Sequence, residues 1–148
     1  MDIQLKNRKL SKPELIMAIE DLATKPTRSN MQLANLLLIE GSKDLLEKKG
    51  SRVEPIRGKG KLMPRGHCFR NAASKIADGF GYVEGVVTDR LTNEQFAHGW
   101  NINRSGQHVD HTIDPVRWIY HGIVLDWQIV KRIMEMGAYC CLPYLNLK

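Results

Sequence analysis

Apolar residues recur at helical spacing near the start of the chain. Ser11 followed by Glu14 forms a capping box, in which each side chain accepts a hydrogen bond from the other residue's backbone N–H. Apolar side chains follow at positions 15, 16, 19, 22 and 23, which places them on one face of a helix. This pattern predicts a first helix over about residues 12–24, and the proline at position 26 prevents its continuation.

The next stretch repeats the same pattern. Ser29 and Gln32 form a second box ahead of apolar residues at positions 31, 33, 36, 37 and 39. We expect this second helix to end near Gly41, because glycine is common just after a helix. A short third helix is expected from Ser42 to Lys49.

Residues 50–66 show neither helical nor alternating spacing of apolar positions. They contain four glycines and two prolines, which predicts a long loop. Long loops in compact domains are often functional, and this one leads directly into Cys68. We expect the loop to border a site formed around that cysteine.

Helical spacing returns after the loop. It predicts a helix from His67 to about Ala77, which Gly79 ends and which carries Cys68 in its first turn. The inward-facing side chains of this helix are Phe69, Ala72, Ala73 and Ile76.

The following segments are rich in β-branched and aromatic residues and predict strands. Three of them should be consecutive and antiparallel, and they cover residues 82–89, 95–102 and 107–114. A fourth strand is expected around residues 120–125. Asp126 then provides an N-cap for a last helix over residues 127–136.

The order of elements predicts an α+β fold, with N-terminal helices, a cysteine-bearing helix packed on an antiparallel sheet and a C-terminal helix. With 148 residues, 43% of them hydrophobic, the chain is long enough for one domain with its own core. We divide this single domain, residues 1–148, into a helical N-terminal part (1–49), a basic Gly/Pro loop (50–66) and a catalytic core (67–148).

The chain has three cysteines, and two of them, Cys140 and Cys141, are adjacent and poorly placed to bridge each other. An odd cysteine count favours a reducing compartment. The first ten residues lack an apolar signal region, and the longest apolar run covers only residues 36–39. We therefore expect a cytoplasmic protein that does not insert into membranes.

Positive charge is concentrated in one segment. Residues 43–75 hold ten Lys or Arg and only three acids, against a net charge of +6 for the whole chain. Such a segment can attract nucleic acid or an acidic protein partner, although solvated surface loops are often basic as well. Positions 1–68 contain no Phe, Trp or Tyr, so the stacking surface of a single-strand binder is missing there.

Cys68 is the candidate nucleophile. The first turn of a helix favours the thiolate over the thiol, because unpaired backbone N–H groups and the helix dipole stabilise negative charge there. Arg65, His67 and Arg70 act in the same direction. The alternative is a small cysteine packed in the core.

A cysteine nucleophile needs a base and a third group that orients the base. His98 is the candidate base, and Trp100 shares its strand face and can shield the imidazole from water. Asp110 follows on the next strand, where a hairpin can bring its carboxylate to the ring. Asp114 is the competing carboxylate, although Asp114-Pro115 also suits a turn.

Three further residues are candidate supporting or substrate-binding groups. Asn71 lies one helical turn after Cys68 and can tie the loop or contact substrate. Tyr82 and Glu84 share a strand face, and Glu84 can meet the cysteine helix or bind a substrate amine. A surface amide and an exposed strand carboxylate are the simpler interpretations.

A metal site is a further alternative. His108, Asp110 and His111, with His98 and His121, are side chains that suit zinc or iron. On a strand, however, Asp110 and His108 share one face while His111 points to the opposite face, and Cys68 would have no role. We therefore expect no metal and no cofactor.

The chain resembles the papain/transglutaminase-like superfamily, and in particular its small bacterial and phage members. The resemblance is carried by five short segments, which are CFRNA, YVEG, HGWN, VDHT and YHG. Transglutaminase-like members often show a helix-opening cysteine, then His-Ala-Trp, then Asp-Pro-Thr, where this chain has Cys68, His98-Gly99-Trp100 and Asp110-His111-Thr112. The resemblance covers about residues 64–125. The glutamine that papain-type enzymes place before the cysteine is missing from residues 62–66, which leaves the backbone N–H of Cys68 to serve the oxyanion.

The resemblance implies a cysteine hydrolase or acyltransferase that acts through a thioester. Its substrate would be an amide or ester in a protein, a peptide or a small molecule, and the fold does not choose among hydrolysis, transamidation and acyl transfer. The alternative function is a non-catalytic basic module that binds nucleic acid or an acidic protein through residues 43–75.

Overall fold

The computed structural model describes residues 11–145, which contain four α-helices and a six-stranded sheet. The helices are α1 (Lys12–Thr24), α2 (Arg28–Lys49), α3 (Cys68–Ser74) and α4 (Trp127–Glu135). The strands are β1 (Ser51–Val53), β2 (Ile56–Arg57), β3 (Gly81–Asp89), β4 (Gln95–Ile102), β5 (His108–Asp110) and β6 (Trp118–Leu125). The α+β class is as predicted.

Helix α1 begins as the sequence indicates. Ser11 and Glu14 make both hydrogen bonds of the capping box, and the helix covers the predicted residues. Its buried residues Ile19 and Leu22 pack against α2. The capping box predicted the start of α1 correctly, because its hydrogen bonds join residues only three positions apart.

Helix α2 differs from the prediction at its start and in the middle, and it ends at Lys49 as predicted. Thr27, and not Ser29, is its N-cap, and it accepts a hydrogen bond from the backbone N–H of Asn30. The helix continues through Gly41 to Lys49 as one element, so the break into a second and a third helix was wrong. A Cβ on Gly41 would collide with Leu15 of α1, so this glycine permits close helix packing instead of ending the helix.

The sheet has the strand order β1-β6-β3-β4-β5-β2. The predicted antiparallel run is present, since β3 pairs with β4 over eight residues and β4 pairs with β5. Strand β5 is shorter than predicted and ends at Asp110. Only β2 runs parallel to its neighbour, so the sheet is mixed.

Residues 51–57 close the sheet on itself. Strand β1 pairs with β6 at one edge and β2 pairs with β5 at the other, although only Glu54 and Pro55 separate the two strands. Two residues span less than about 11 Å, so the two edges must approach each other. The predicted structureless loop over 50–66 was therefore wrong for its first half, because sheet pairing overrides the weak local pattern.

The two faces of the sheet carry different cores. One face holds Tyr82, Val86 and Ile123, which α2, α3 and α4 cover. The opposite face holds Val83, Val87, Trp100 and Tyr120, which pack on one another inside the closed sheet. As predicted, Asp126 caps α4 by accepting a hydrogen bond from Gln128 N–H at 2.8 Å. No helix within residues 11–145 is both long and apolar enough to cross a membrane.

Glu84 anchors the C-terminal segment in the helix-covered core. The side chain is only 2% exposed, and its carboxylate accepts hydrogen bonds from the backbone N–H groups of Cys141 and Leu142 and from the Tyr82 hydroxyl at 2.5 Å. Burial raises the pKa of Glu84 above its usual 4.5, and these hydrogen bonds oppose the rise. Because the carboxylate is enclosed by its own hydrogen bonds, Glu84 and Tyr82 have a structural role here.

Replacing Glu84 by Ala should lower the free energy of unfolding by about 3 kcal/mol, because two buried N–H groups lose their acceptor and a cavity remains. Glu84→Gln keeps one acceptor oxygen and should cost clearly less. Urea denaturation measures both, with Glu47→Ala on the exposed face of α2 as the control. Equal stability of Glu84→Ala and Glu47→Ala would contradict this role.

Candidate active site

Cys68 is the first residue of α3 and is half-buried. Helix α3 packs against β4, and its start lies beside Gly99. The carbonyl oxygen of Cys68 lies 3.5 Å from the position that a Cβ on Gly99 would occupy, and the charge of Cys68 raises the pKa of the neighbouring His98. The structure therefore brings together the predicted nucleophile and the predicted base, which come from a helix and a strand thirty residues apart.

His98 is held between Cys68 and Asp110. Its Nε2 lies 2.7 Å from Oδ2 of Asp110, so Nδ1 takes no part in that bond. The ring is 5% exposed, and burial alone lowers its pKa. The negative charge of Cys68 and the hydrogen bond to Asp110 outweigh burial and raise the pKa of His98 from its usual 6.5 to about 10. Both neighbours of the ring therefore favour its protonated form.

Asp110 is fully buried and fully hydrogen-bonded. Oδ1 accepts from the backbone N–H groups of Thr112 and Ile113 at 2.8 and 3.0 Å, and Oδ2 accepts from His98 and from the Tyr120 hydroxyl. Burial favours the neutral acid, but these bonds prevail and lower the pKa of Asp110 below its usual 3.8. The aspartate is thus a fixed negative charge behind the histidine.

Trp100 lies where the strand parity predicts. Its ring stacks on His98 with centroids 6.0 Å apart and planes inclined by 20°. The indole Nε1–H donates to Nδ1 of His108 at 2.9 Å, which fixes the orientation of the tryptophan. Trp100 is 1% exposed, so it excludes water from one side of the imidazole.

Asn71 ties the preceding loop to the site. Its side-chain NH₂ donates to the carbonyl of Pro64 at 2.9 Å and to the hydroxyl of Thr112 at 3.0 Å. Met63 N–H also donates to the carbonyl of His111. The second half of the 50–66 segment therefore borders the site, as predicted, and Asn71 holds it there rather than projecting to the surface.

Gly99 sets the distance between the helix and the strand. A Cβ at this position would lie 3.0 Å from Cδ1 and 3.3 Å from Cα of Phe69, the residue after Cys68. Such contacts are too close for an undisturbed side chain, so the helix start would have to move. The sequence alone gave no reason to assign Gly99 this role, because the close contact is with a residue thirty positions away.

We expect Gly99→Ala to slow alkylation of Cys68 several-fold, because the methyl group pushes the start of α3 away from β4. Stability should fall by only about 1 kcal/mol, the usual scale for one extra methyl group in a tight contact. Adding Phe69→Leu removes the nearest ring atom and should restore part of the rate. The alkylation rate of Cys68 is measured by labelling with iodoacetamide followed by mass spectrometry. A wild-type rate in Gly99→Ala would contradict the role of Gly99 in setting this distance.

Tyr120 completes the site and was not among the predicted residues. Its hydroxyl donates to Oδ2 of Asp110 at 2.7 Å, and its ring meets Trp100 edge-on at 5.0 Å. Burial, followed by the charge of Asp110, raises the pKa of Tyr120, which keeps the hydroxyl protonated as a donor. The only sequence signal for Tyr120 was its place in the YHG segment, because the pairing of β6 with β3 cannot be predicted from the local spacing of residues.

Tyr120→Phe should lower the free energy of unfolding by about 1–2 kcal/mol, because it removes a hydrogen bond to a buried charge. Asp110 stabilises the fold while ionised, a contribution present above its unfolded pKa near 3.8 and lost as pH falls through the lower folded value. The cost of Tyr120→Phe should therefore be largest above about pH 4 and shrink in more acidic solution.

A matched control for this variant is Tyr144→Phe. The Tyr144 hydroxyl is buried and finds no hydrogen-bond partner within the described part of the chain. Its removal should leave stability unchanged or slightly raised at every pH. Equal losses in the two variants would contradict the proposed bond to Asp110.

Asp114 and two of the metal-ligand candidates, His111 and His121, have other partners than His98. Asp114 is exposed and caps a short 3₁₀ turn by accepting from Val116 N–H, so it is the turn residue and Asp110 is the partner of His98. His111 Nδ1 bonds Asn101, and His121 donates to the carbonyl of Leu46. Within residues 11–145, His, Cys, Asp and Glu side chains form no group of three that could hold a metal ion.

Comparison of the chain with protein-family models, curated proteins and solved structures found no match.

Proposed function

We propose that the chain is a cysteine-dependent acyl-transfer enzyme with Cys68 as nucleophile, His98 as acid and base, and Asp110 as the residue that orients His98. The observation that carries the proposal is the buried His98 ring, which lies beside half-buried Cys68 and has its Nε2 2.7 Å from Oδ2 of Asp110. An ion pair of thiolate and imidazolium is the resting state of many cysteine nucleophiles.

In the proposed reaction, the Cys68 thiolate attacks the carbonyl carbon of an amide or ester. His98 gives its Nδ1 proton to the leaving amine or alcohol as the carbon–heteroatom bond breaks, which leaves a thioester on Cys68. Neutral His98 then removes a proton from water or from an amine, and this second nucleophile displaces the thiolate. Throughout, Asp110 keeps Nε2 protonated, so Nδ1 alone exchanges protons.

The surroundings of the two groups suit this chemistry. Trp100 shields the ring, and Tyr120 and the backbone beyond β5 hold Asp110 ionised. The chain is exposed at Gly66, two residues before Cys68, and a Cβ there would meet nothing within 4 Å. A substrate carbonyl can therefore approach the sulfur from that side, where the first N–H groups of α3 are available to a developing oxyanion.

The papain/transglutaminase-like architecture is part of this proposal. The order of the candidate residues is typical of that superfamily: a cysteine at a helix start, a His-X-Trp strand and an aspartate on the adjoining strand. The helix that carries the cysteine also lies against the sheet. The closed sheet of residues 51–125 is compatible with such a core. Hydrolysis is the default outcome, and transamidation needs only an amine in place of water.

His98→Ala should slow iodoacetamide labelling of Cys68 by at least about tenfold at about pH 6, because the thiolate loses its imidazolium partner. In the wild type, labelling should stay fast at that pH. Mass spectrometry of the Cys68 peptide separates this signal from buried Cys140 and Cys141.

His67→Ala is the matched control, since His67 is exposed and adjacent to Cys68 but has no part in the proposed ion pair. Its labelling rate should fall far less than that of His98→Ala, because His67 is exposed to solvent, which screens its effect on the thiol. Slow labelling of Cys68 in all three proteins would show that the cysteine is a packing residue and would end the proposal.

A further inference from the structure

All of the net charge of the chain lies in the segment that contains Cys68. Residues 55–77 contain six Lys or Arg and no Asp or Glu, which equals the net charge of +6 for the whole sequence. The remaining residues are therefore balanced in charge. The electrostatic field of such a positively charged segment attracts negatively charged ligands to it.

Four of the six cations in this segment face solvent and have no carboxylate partner among the described residues 11–145. Arg57 instead hydrogen-bonds to the carbonyls of Gly58 and Gly60, and Lys75 lies 3.8 Å from Asp78. The other four are exposed and make no ion pair with any residue of the described range 11–145, and they are Lys59, Lys61, Arg65 and Arg70.

The fold ties the segment that carries these cations to the residues around the candidate site. Gly58 N–H donates to the carbonyl of Asp110, Met63 N–H donates to the carbonyl of His111, and Asn71 holds the carbonyl of Pro64. The chain from 58 to 64 is thus bonded to the strand end that carries the orienting aspartate. Arg65 precedes the nucleophile by three residues, and Arg70 lies in the first turn of its helix.

We propose that the acyl donor of this enzyme is an acidic peptide segment, with carboxylates flanking the carbonyl that Cys68 attacks; this inference rests on the function proposed above. The four unpaired cations bind the flanking carboxylates and place the scissile carbonyl at the sulfur. A nucleic acid fits less well, because residues 50–67 contain no Phe, Trp or Tyr on which bases could stack and Phe69 is buried.

A pair of alkylating probes that differ in charge tests the field directly. Iodoacetate and iodoacetamide react with the same sulfur, so the ratio of their rates on Cys68 reports local attraction of an anion. Arg65→Gln with Arg70→Gln should lower this ratio by at least about threefold at low salt, since two charges near the sulfur are lost. Raising NaCl from about 20 mM to about 500 mM should lower the wild-type ratio similarly.

The matched control removes the same charge from α4, where Lys131 and Arg132 are exposed. Lys131→Gln with Arg132→Gln should leave the ratio near the wild-type value. An unchanged ratio in Arg65→Gln/Arg70→Gln would overturn the inference while leaving fast, His98-dependent labelling intact. Slow labelling by both reagents, independent of His98, would instead refute the proposed function.

Protection of Cys68 from alkylation by a bound polymer shows which class of polymer the site accepts. A Glu/Ala peptide should slow labelling of the wild type by neutral iodoacetamide, and the corresponding Gln/Ala peptide should not. The protection should weaken in Arg65→Gln/Arg70→Gln. Protection by oligo-dT alone, or equal protection by the two peptides, would overturn the assignment of an acidic peptide.

Discussion

The hydrogen bond between His98 and Asp110 is the constraint on which the rest of the site depends. A buried imidazolium is costly unless an anion is close, and Asp110 at 2.7 Å provides that anion. The aspartate in turn needs its own donors, which come from the Tyr120 hydroxyl and two backbone N–H groups. The charge on His98 is thus stabilised by a chain of contacts that ends in the closed sheet.

This arrangement joins the two layers of the fold. His98, Trp100 and Tyr120 belong to the inner face of the sheet, whereas α3 packs against Gly99 and the outer face. Strand β5 pairs with β4 only at Asn101 and Ile102, so the edge of β4 near His98 is left accessible to the helix. The short β5 therefore lets a helix on one face supply a thiol to a histidine on the other.

Burial by itself does not decide whether the pKa of a strand carboxylate rises or falls. Glu84 and Asp110 are both buried strand carboxylates, yet burial raises the pKa of Glu84, whereas donors prevail at Asp110 and lower its pKa. Glu84 fixes the C-terminal segment, and Asp110 fixes the histidine. The same side-chain chemistry thus has a structural role on one face of the sheet and a proposed functional role on the other.

Local sequence determined the features that depend on near neighbours. These are the capped start of α1, the strands β3 and β4, and the shared strand face of His98 and Trp100. The hairpin that brings Asp110 to the His98 ring is a further local feature. Tertiary structure alone decided that α2 continues through Gly41, that residues 51–57 close the sheet, and that Tyr120 reaches Asp110. Capping and alternation act over a few residues, whereas helix packing, sheet closure and buried hydrogen bonds join positions far apart in the chain, and no local pattern encodes those distances.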